Sequence, residues 1–324
     1  MKKIFVFAIA AATMAVGCQK IQDLVRPNTP ADENELVEIK FNTNIAVVET
    51  KTVEDLEGLS LTVYGINDTD PTSSRQFKDG ITATAGAAVE GKYALDLDGG
   101  PYYYDGNSDK YSFYGYFLDE AVLAEGAVTI DGANDILLAK ASGNGTYCGS
   151  EARGGNNPEL VFEHVLSQFK FAAINLGSED ISLTGITVKS SKVGTMTVGS
   201  ASQAVAGGDD MVEFPVAMDP LALVSKSDVA TPGEADYAKV VSSDTQSYLI
   251  LFPALTSYEL YFTVSQGGQT RTLKKDVAGG IAAGNAYEFR VKLYSLEEIE
   301  VTASLTPWTP AVIEIDTDDA VEVE

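Results

Sequence analysis

The chain has 324 residues, of which 47 are Asp or Glu, 22 are Lys or Arg and one is His, for a formal charge of -25. This acidic balance excludes the basic surface with which proteins bind nucleic acid. The hydrophobic fraction of 45% is ample for folded cores, and the length predicts about two domains of ~150 residues. One His and two Cys leave few groups for metal or thiol chemistry.

The N-terminus has the features of an export signal. Lys2 and Lys3 precede an apolar run over residues 4–16, which is too short to span a bilayer. Small residues at 15–17 then lead into Cys18, a pattern that resembles the bacterial lipobox, in which the thiol is acylated and becomes the first mature residue. We predict a lipoprotein signal peptide at 1–17 and lipidation, including palmitate, at Cys18; an ordinary cleaved signal peptide is the alternative.

The segment after the signal is polar. Residues 18–35 contain Pro27 and Pro30 and are predicted to tether a folded protein to the membrane. With Cys18 lipidated, Cys148 is left without a partner for an intramolecular disulfide. Cys148 lies in a Gly-rich stretch with no His nearby in sequence, so we do not expect it to be a nucleophile.

From residue 36 the sequence predicts strands separated by turns. Residues 37–41 and 59–65 alternate apolar and polar side chains, as half-buried strands do. Further strands are predicted at 92–97, 127–130, 135–139, 160–162, 165–171, 181–190, 194–198, 211–215, 247–253, 259–265, 270–274, 286–293 and 299–305. This pattern is typical of an antiparallel β-sandwich or barrel. A Gly/Asn-rich stretch at 142–158 divides two predicted domains, 36–158 and 159–310, and an acidic segment follows at 311–324.

The most aromatic stretch covers residues 101–117. Its Tyr111, Phe113 and Phe117 share one predicted strand face, which is more typical of a core than of a sugar-binding platform. The spacing of Asp105, Asn107 and Asp109 is similar to that of a calcium loop, but the Gly and Glu of that loop are missing. A hairpin turn is therefore the better interpretation.

The sequence contains none of the motifs G-x-S-x-G, G-x-x-x-x-G-K-[ST] or H-E-x-x-H. Its single imidazole, His164, follows an apolar strand, which favours a structural hydrogen bond over base catalysis. A pair of carboxylates could serve a glycosidase, but among 47 acids no pair stands out. We predict no catalytic residue, no metal site and no cofactor.

Several segments occur in an order that is informative as a set. They are the lipobox, VEIKFNTNIA at 37–46, DKYSFYGYF at 109–117, DILLAKA at 135–141, LVFEHVLSQFKF at 160–171, NAYEFRVKLY at 285–294 and VTASLTPWTP at 301–310. Phe162, His164, Leu166 and Ser167 carry an F-x-H-x-L-S motif, and Trp308 lies in the last segment. Together they resemble the fimbrillin family, the fimbrial-subunit lipoproteins of Bacteroidetes.

The resemblance implies an all-β fold with two tandem antiparallel, transthyretin-like Greek-key sandwich domains and no enzymatic activity. It also implies export to the outer membrane and assembly into a fimbrium at the cell surface. A Lys/Arg-specific protease would remove the N-terminal segment with the first strand. A strand from another fimbrial subunit would then fill the groove, and such head-to-tail contacts build a filament.

The candidate cleavage sites are Arg26, Lys40 and Lys51. Arg26 precedes Pro27, which trypsin-like proteases usually refuse, and Lys40 lies inside the predicted first strand. Lys51 follows that strand, so cleavage there would release it. An uncut subunit would keep its lipid and act as an anchor or as an ordinary surface lipoprotein.

The acidic segment 311–324 has two interpretations that stay open. Alternating apolar residues at Ile313 and Ile315, and again at Val321 and Val323, are what a donor strand requires. A solvated acidic tail is the other interpretation.

The sequence thus predicts a fimbrial structural or accessory subunit that contributes to adhesion to a host or bacterial receptor. The alternative is a surface lipoprotein that does not polymerise and binds glycan through its Tyr-rich strand. A carboxylate-pair glycosidase is a more remote one. Removal of the signal peptide would take the charge to -27, which should keep unassembled subunits apart.

Overall fold

The computed structural model describes residues 37–45, 56–106, 109–144, 157–253, 257–278 and 281–306. Over these residues the chain is all-β, which confirms the predicted fold class. The described part contains 23 strands and one short 3-10 helix, Glu234–Asp236.

The strands follow the chain in two groups. The first group consists of β1 (Asn42–Ile45), β2 (Ser60–Asn67), β3 (Phe77–Val89), β4 (Lys92–Leu97), β5 (Lys110–Leu118), β6 (Val122–Ala124), β7 (Ala127–Thr129), β8 (Ile136–Asn144) and β9 (Glu159–His164). The second group consists of β10 (Ser167–Asn175), β11 (Ile181–Ser191), β12 (Val193–Thr197), β13 (Ala204–Gly207), β14 (Met211–Pro215), β15 (Leu221–Leu223), β16 (Ala238–Lys239), β17 (Val241–Ser242), β18 (Thr245–Gln246), β19 (Tyr248–Leu251), β20 (Ser257–Gln266), β21 (Gln269–Ala278), β22 (Ala286–Leu293) and β23 (Ile299–Thr306).

Seven strands of the first group form a sheet that closes on itself in the order β1-β4-β3-β2-β5-β8-β9. We call it the closed sheet. Its strands bury alternate side chains, as the period-two pattern of β2 predicts: Leu61 and Val63 are buried while Ser60 is exposed. Gly115 allows the ring of Phe162 to cross the interior, because a Cβ at this position would lie 2.9 Å from that ring.

Most of the second group forms two five-stranded sheets, β16-β10-β22-β23 with β19, and β14-β11-β20-β21 with β15. Their buried side chains make one core between the two sheets. Phe169 of β10 meets Tyr258 of β20 edge to face, with ring centroids 4.9 Å apart. Phe171 of β10 stacks on Phe289 of the neighbouring β22 at 5.3 Å.

A smaller sheet, β13-β12-β7-β6, connects the two groups, since β12 pairs with β7. The turn between β12 and β13 also reaches the closed sheet. There the Gln203 side-chain amide donates hydrogen bonds to the carbonyl oxygens of Gly115, at 3.2 Å, and Ala139, at 2.9 Å. Gly199 lies against the ring of Tyr64 in the same contact.

Two features differ from the sequence-based expectations. Not every strand pair is antiparallel, because β1 runs parallel to β9 and β10 runs parallel to β22. In addition, β9 pairs with β8 and β1 of the closed sheet, although residues 159–164 stand in the second predicted domain. If the chain is divided by its sheets, the proposed boundary moves from 158/159 to the residues between β9 and β10.

Candidate strand-exchange site around β1

Strand β1 is the first strand of the described chain and completes the closed sheet. Its Asn42 and Thr43 pair with Ala94 and Tyr93 of β4 in antiparallel register. On its other side, β1 pairs in parallel with β9 over four residues, from Asn42 opposite Glu159 to Ile45 opposite Phe162. As long as β1 is in place, the closed sheet therefore has no open edge at this point.

Alternate side chains of this segment point into the core. Ile39 and Phe41 are each 2% exposed and Thr43 is fully buried, whereas Lys40 is exposed and forms an ion pair with Glu38. The ring of Phe41 packs edge to face on Phe113 of β5, with centroids 4.9 Å apart. This segment thus fills apolar sites inside the closed sheet.

Thr43 adds one polar contact to this buried face. Its hydroxyl donates a hydrogen bond of 2.6 Å to the carbonyl oxygen of Leu160 in β9. A buried hydroxyl without such an acceptor would be costly, so this hydrogen bond makes Thr43 compatible with its buried position.

The chain before β1 leaves β4 and pairs elsewhere. Glu38 forms a bridge with Tyr103, the Ile39 amide donates to Tyr102 at 2.8 Å, and the Tyr104 amide donates to Val37 at 3.0 Å. Residues 102–104 therefore pair with the N-terminal segment. The hairpin expected from the sequence would have paired them with β5, which instead pairs with β2 and β8. A cavity of about 650 Å³ lies between residues 38–42 and the 94–97 end of β4.

The aromatic stretch is part of the core, as predicted. Tyr104, Tyr111 and Phe113 are buried, and Tyr104 meets Tyr111 edge to face at 5.2 Å. Phe117, at 9% exposure, belongs to the same cluster. These rings are occupied in packing and do not present an exposed platform.

The Asp105 carboxylate is held by neutral donors. It accepts hydrogen bonds from Asn67, at 2.8 Å, Tyr111, at 2.7 Å, and the Ser73 hydroxyl. Burial raises the pKa of Asp105, but these bonds and the nearby Arg75 charge outweigh burial and hold the pKa below its usual range. Over the described part of the chain, no group of three or more His, Cys, Asp and Glu side chains is arranged to hold a metal ion.

His164 forms the structural hydrogen bond that the sequence predicts. Its Nδ1 lies 2.5 Å from Oδ2 of Asp135, and neither side chain is exposed to solvent. The backbone continues this contact, since the Val165 amide donates to the Ile136 carbonyl at 3.1 Å. The pair therefore holds the end of β9 against the start of β8.

Most of the sequence-predicted site residues lie outside the described residues: Cys18, Arg26, Lys51, Cys148, Asn107, Trp308, Ile313, Ile315, Val321 and Val323. Lys40 is described and is exposed just before β1. Thr43 and Leu160 could not be recognised from sequence, because their hydrogen bond joins residues 117 positions apart. In the described ranges there is no helix with the length and apolarity needed to cross a membrane.

The geometry defines a protein that is all-β over the described residues and whose first described strand closes a sheet. The fimbrillin-like family matches residues 46–308 of the chain, and the protein belongs to this family. A comparison with curated protein sequences gave no match.

Solved structures share the fold. A candidate cell adhesion protein from Bacteroides ovatus is 15% identical with a TM-score of 0.51, over 86% of this chain and 99% of that one. One from Bacteroides uniformis is 18% identical with a TM-score of 0.50, over 84% and 98%. The fimbrial anchor protein Mfa2 from Porphyromonas gingivalis is 12% identical over 84% of this chain and 99% of that one. Its TM-score is 0.37, which is too low to support a structural inference.

Proposed function

We propose that this protein is a fimbrial structural or accessory subunit that assembles by donor-strand exchange and contributes to adhesion. The observation that carries the proposal is the position of β1. It is the first strand of the described chain, and it completes the closed sheet between β4 and β9. An N-terminal segment can be removed by one cut, whereas an internal strand cannot.

Loss of β1 would leave two kinds of unsatisfied surface. The backbone groups of β4 and β9 that now pair with β1 would lose their partners, and unpaired strand edges recruit strands from other chains. The sites of Ile39 and Phe41, now 2% exposed, would open to solvent. A strand from another subunit would restore both the hydrogen bonds and the apolar burial.

Such a contact joins two different surfaces of the same protein, its open groove and its donor segment. Interfaces of this heterologous kind do not close into a symmetric dimer, and their repetition generates a filament. The proposed partners are therefore other copies of this subunit or related fimbrial subunits. An adhesion receptor on a host or bacterial surface would be contacted by the assembled fimbrium.

The proposed route begins with export to the outer membrane as a lipoprotein anchored through Cys18. Cleavage by a Lys/Arg-specific protease at Lys51 would release β1, because Lys51 follows Ile45 in the chain. Cleavage at Arg26 would leave β1 attached but would remove the lipidated Cys18, so only the uncut subunit would suit an anchoring role. We propose no enzymatic activity. The single imidazole of the chain, His164, is bonded to Asp135, and neither side chain is exposed to a substrate from solvent.

A truncation tests the donor part of the proposal. Removal of residues 311–324 should abolish protease-triggered polymerisation while the monomer keeps its far-UV circular dichroism and its urea midpoint. The matched control exchanges the acidic residues of 311–324 for their amides, which changes charge and leaves the apolar pattern. Normal polymers from the truncated protein would contradict a donor strand in this segment. A stable monomer that shifts on a glycan gel would support the glycan-binding alternative instead.

A further inference from the structure

The four-stranded sheet β13-β12-β7-β6, which we call the connecting sheet, contains no charged residue, although the chain as a whole is 21% charged. Its inner face is explained by packing. Val128 and Met196 are buried in the core of the second group. Gly194 and Gly207 lie against Phe252, where an added Cβ would come within 2.7 and 2.9 Å of that side chain. The apolar composition of the inner face therefore follows from the fold.

The outer face of the connecting sheet consists only of small, uncharged side chains. Antiparallel register forms a central row across all four strands: Ala124, Ala127, Thr195 and Ala206. A strand places alternate residues on the same side, so the other outer positions are Val122, Thr129, Val193, Thr197 and Ala204. All of them are exposed or half-buried, and Val122 is 63% exposed. Within the described part of the chain, this face is flat and open to solvent.

The outer faces of the other large sheets carry charges. The closed sheet presents the exposed Lys140. The two sheets of the second group present ion pairs, Lys274 with Glu259 at 2.8 Å and Lys292 with Glu300 at 2.7 Å. Charged side chains are common on solvated protein surfaces, and Lys in particular keeps exposed strands from associating. The connecting sheet lacks this protection on its outer face and on its edge strands, β6 and β13.

We propose that the outer face of the connecting sheet binds the same face of a second copy of this chain, about a two-fold axis near Thr195. Thr195 is the middle residue of β12 and belongs to the central row. An isologous contact of this kind brings side chains near the axis close to their own symmetry mates. The contact is separate from strand exchange and requires neither cleavage nor release of β1.

Charge favours a second copy as the occupant of this face. The chain carries a formal charge of -25, so two copies repel each other unless their contact surface is free of carboxylates. The outer face of the connecting sheet meets this condition. A basic partner would gain most from carboxylates on the contact surface, and the strands of this sheet offer none.

Acidic residues flank the face and determine how salt should act on the contact. Glu120 precedes β6, Glu125 lies between β6 and β7, and Asp131 follows β7, all exposed. In a pair of like copies these carboxylates add to the repulsion, which salt screens. Association of two copies should therefore strengthen as salt is added, whereas binding of a basic partner would weaken.

The size of the face indicates a reversible contact. Four strands spaced ~4.8 Å apart, each with about five residues at a rise of ~3.4 Å, cover about 300 Å². A standard stable interface buries about 800 Å² on each partner. Free subunits should therefore dimerise weakly, and the contact gains strength where many copies are held side by side.

Cysteine cross-linking tests the axis in the uncut precursor. The test protein carries Cys18→Ser, Cys148→Ser and Thr195→Cys and is treated with a short bis-maleimide cross-linker. The matched control carries Thr272→Cys in place of Thr195→Cys, at an exposed Thr of β21. We expect on the order of tenfold more covalent dimer from the Thr195→Cys protein, because only position 195 meets its symmetry mate. The yield should rise towards about 1 M NaCl, where the Debye length is about 3 Å.

Charge substitutions at the axis separate self-association from other contacts. In the uncut Cys18→Ser, Cys148→Ser background, Thr195→Asp and Thr195→Lys should each weaken dimerisation by about tenfold or more, because either charge meets its own copy. Sedimentation equilibrium at high salt measures this effect. An equimolar mixture of the two variants should regain dimerisation, since unlike charges then face each other. Thr272→Asp and Thr272→Lys are the matched controls and should dimerise as the parent does.

Three results would overturn the proposal. A parent protein that stays monomeric at high salt, or equal cross-linking at positions 195 and 272, would assign the face to a different partner. Weakening by only one of the two charges would show that the face meets a different surface and not its own copy. Every measurement uses uncut protein, so a failure here leaves the proposed strand exchange in place, and a failure of strand exchange leaves this contact in place.

Discussion

Nδ1 of His164 lies 2.5 Å from Oδ2 of Asp135, and both side chains are shielded from solvent. His164→Ala should lower the free energy of unfolding by about 3–5 kcal/mol, because it leaves a buried carboxylate without its partner. Urea denaturation followed by circular dichroism measures the loss. Glu163→Ala, at the exposed neighbouring position on β9, is the control and should change stability by less than about 0.5 kcal/mol. Equal losses in the two variants would show that the pair has no structural role.

Thr43 tests the polar part of the β1 site in the intact chain. Thr43→Val should cost about 1–2 kcal/mol, because the shape is kept while the hydroxyl donor to Leu160 is lost. Thr43→Ser keeps the donor, and its cost should come from the missing methyl group. Both values can be measured by urea denaturation. Hydrogen exchange should show faster exchange in β1 and β9 for Thr43→Val; unchanged exchange would contradict a role in holding β1.

Gln203 couples the β12–β13 turn to the closed sheet through two backbone carbonyls. Gln203→Ala should lower the unfolding free energy by about 1–2 kcal/mol, since two part-buried hydrogen bonds are lost. It should also broaden the thermal transition, because the closed sheet and the second core are less tightly coupled. Ser202→Ala, at an exposed position of the same turn, is the control. A transition as sharp as that of the parent protein would contradict the coupling.

Asp119 should make stability depend on pH. Burial raises its pKa above the ordinary 3.8, and the nearby charges of Asp135, Glu120 and Asp131 add to this effect. The folded state thus favours the protonated form, so this stabilisation is full below pH 3.8 and is lost as the pH rises through the folded pKa.

The neutral variant Asp119→Asn should therefore unfold at higher urea than the parent at pH 7. The two proteins should converge below pH 3.8. Glu125→Gln, at an exposed position between β6 and β7, controls for the removal of one negative charge. A parent protein that matches Asp119→Asn at pH 7 would contradict the account of Asp119.

The sequence predicted those features that depend on local patterns. The bounds of β4 and β22 match their apolar alternation, and the aromatic face of Tyr111 and Phe113 is buried as expected. The structural role of His164 also followed from its apolar surroundings. In each case the side chains within a few residues are enough to fix the outcome.

Features that depend on distant partners could not be predicted. β3 is a strand of 13 residues that the sequence did not indicate, because it is rich in Ala, Thr and Gly and its buried positions Ala83 and Ala85 are too small to give a clear apolar alternation. The parallel pairing of β1 with β9 joins residues more than a hundred positions apart. Asp135 was not foreseen as the partner of His164 for the same reason: only the fold brings the two together.

Proteolysis of the purified precursor tests the central claim, that release of β1 opens a site which another copy fills. Limited cleavage with a Lys/Arg-specific protease, followed by mass spectrometry and unheated SDS gels, measures the cut position and the assembly together. The account predicts a cut at Lys51 that removes residues 37–45 and produces a ladder of SDS-resistant oligomers. A protein that is cut at Lys51, loses residues 37–45 and stays monomeric would contradict it.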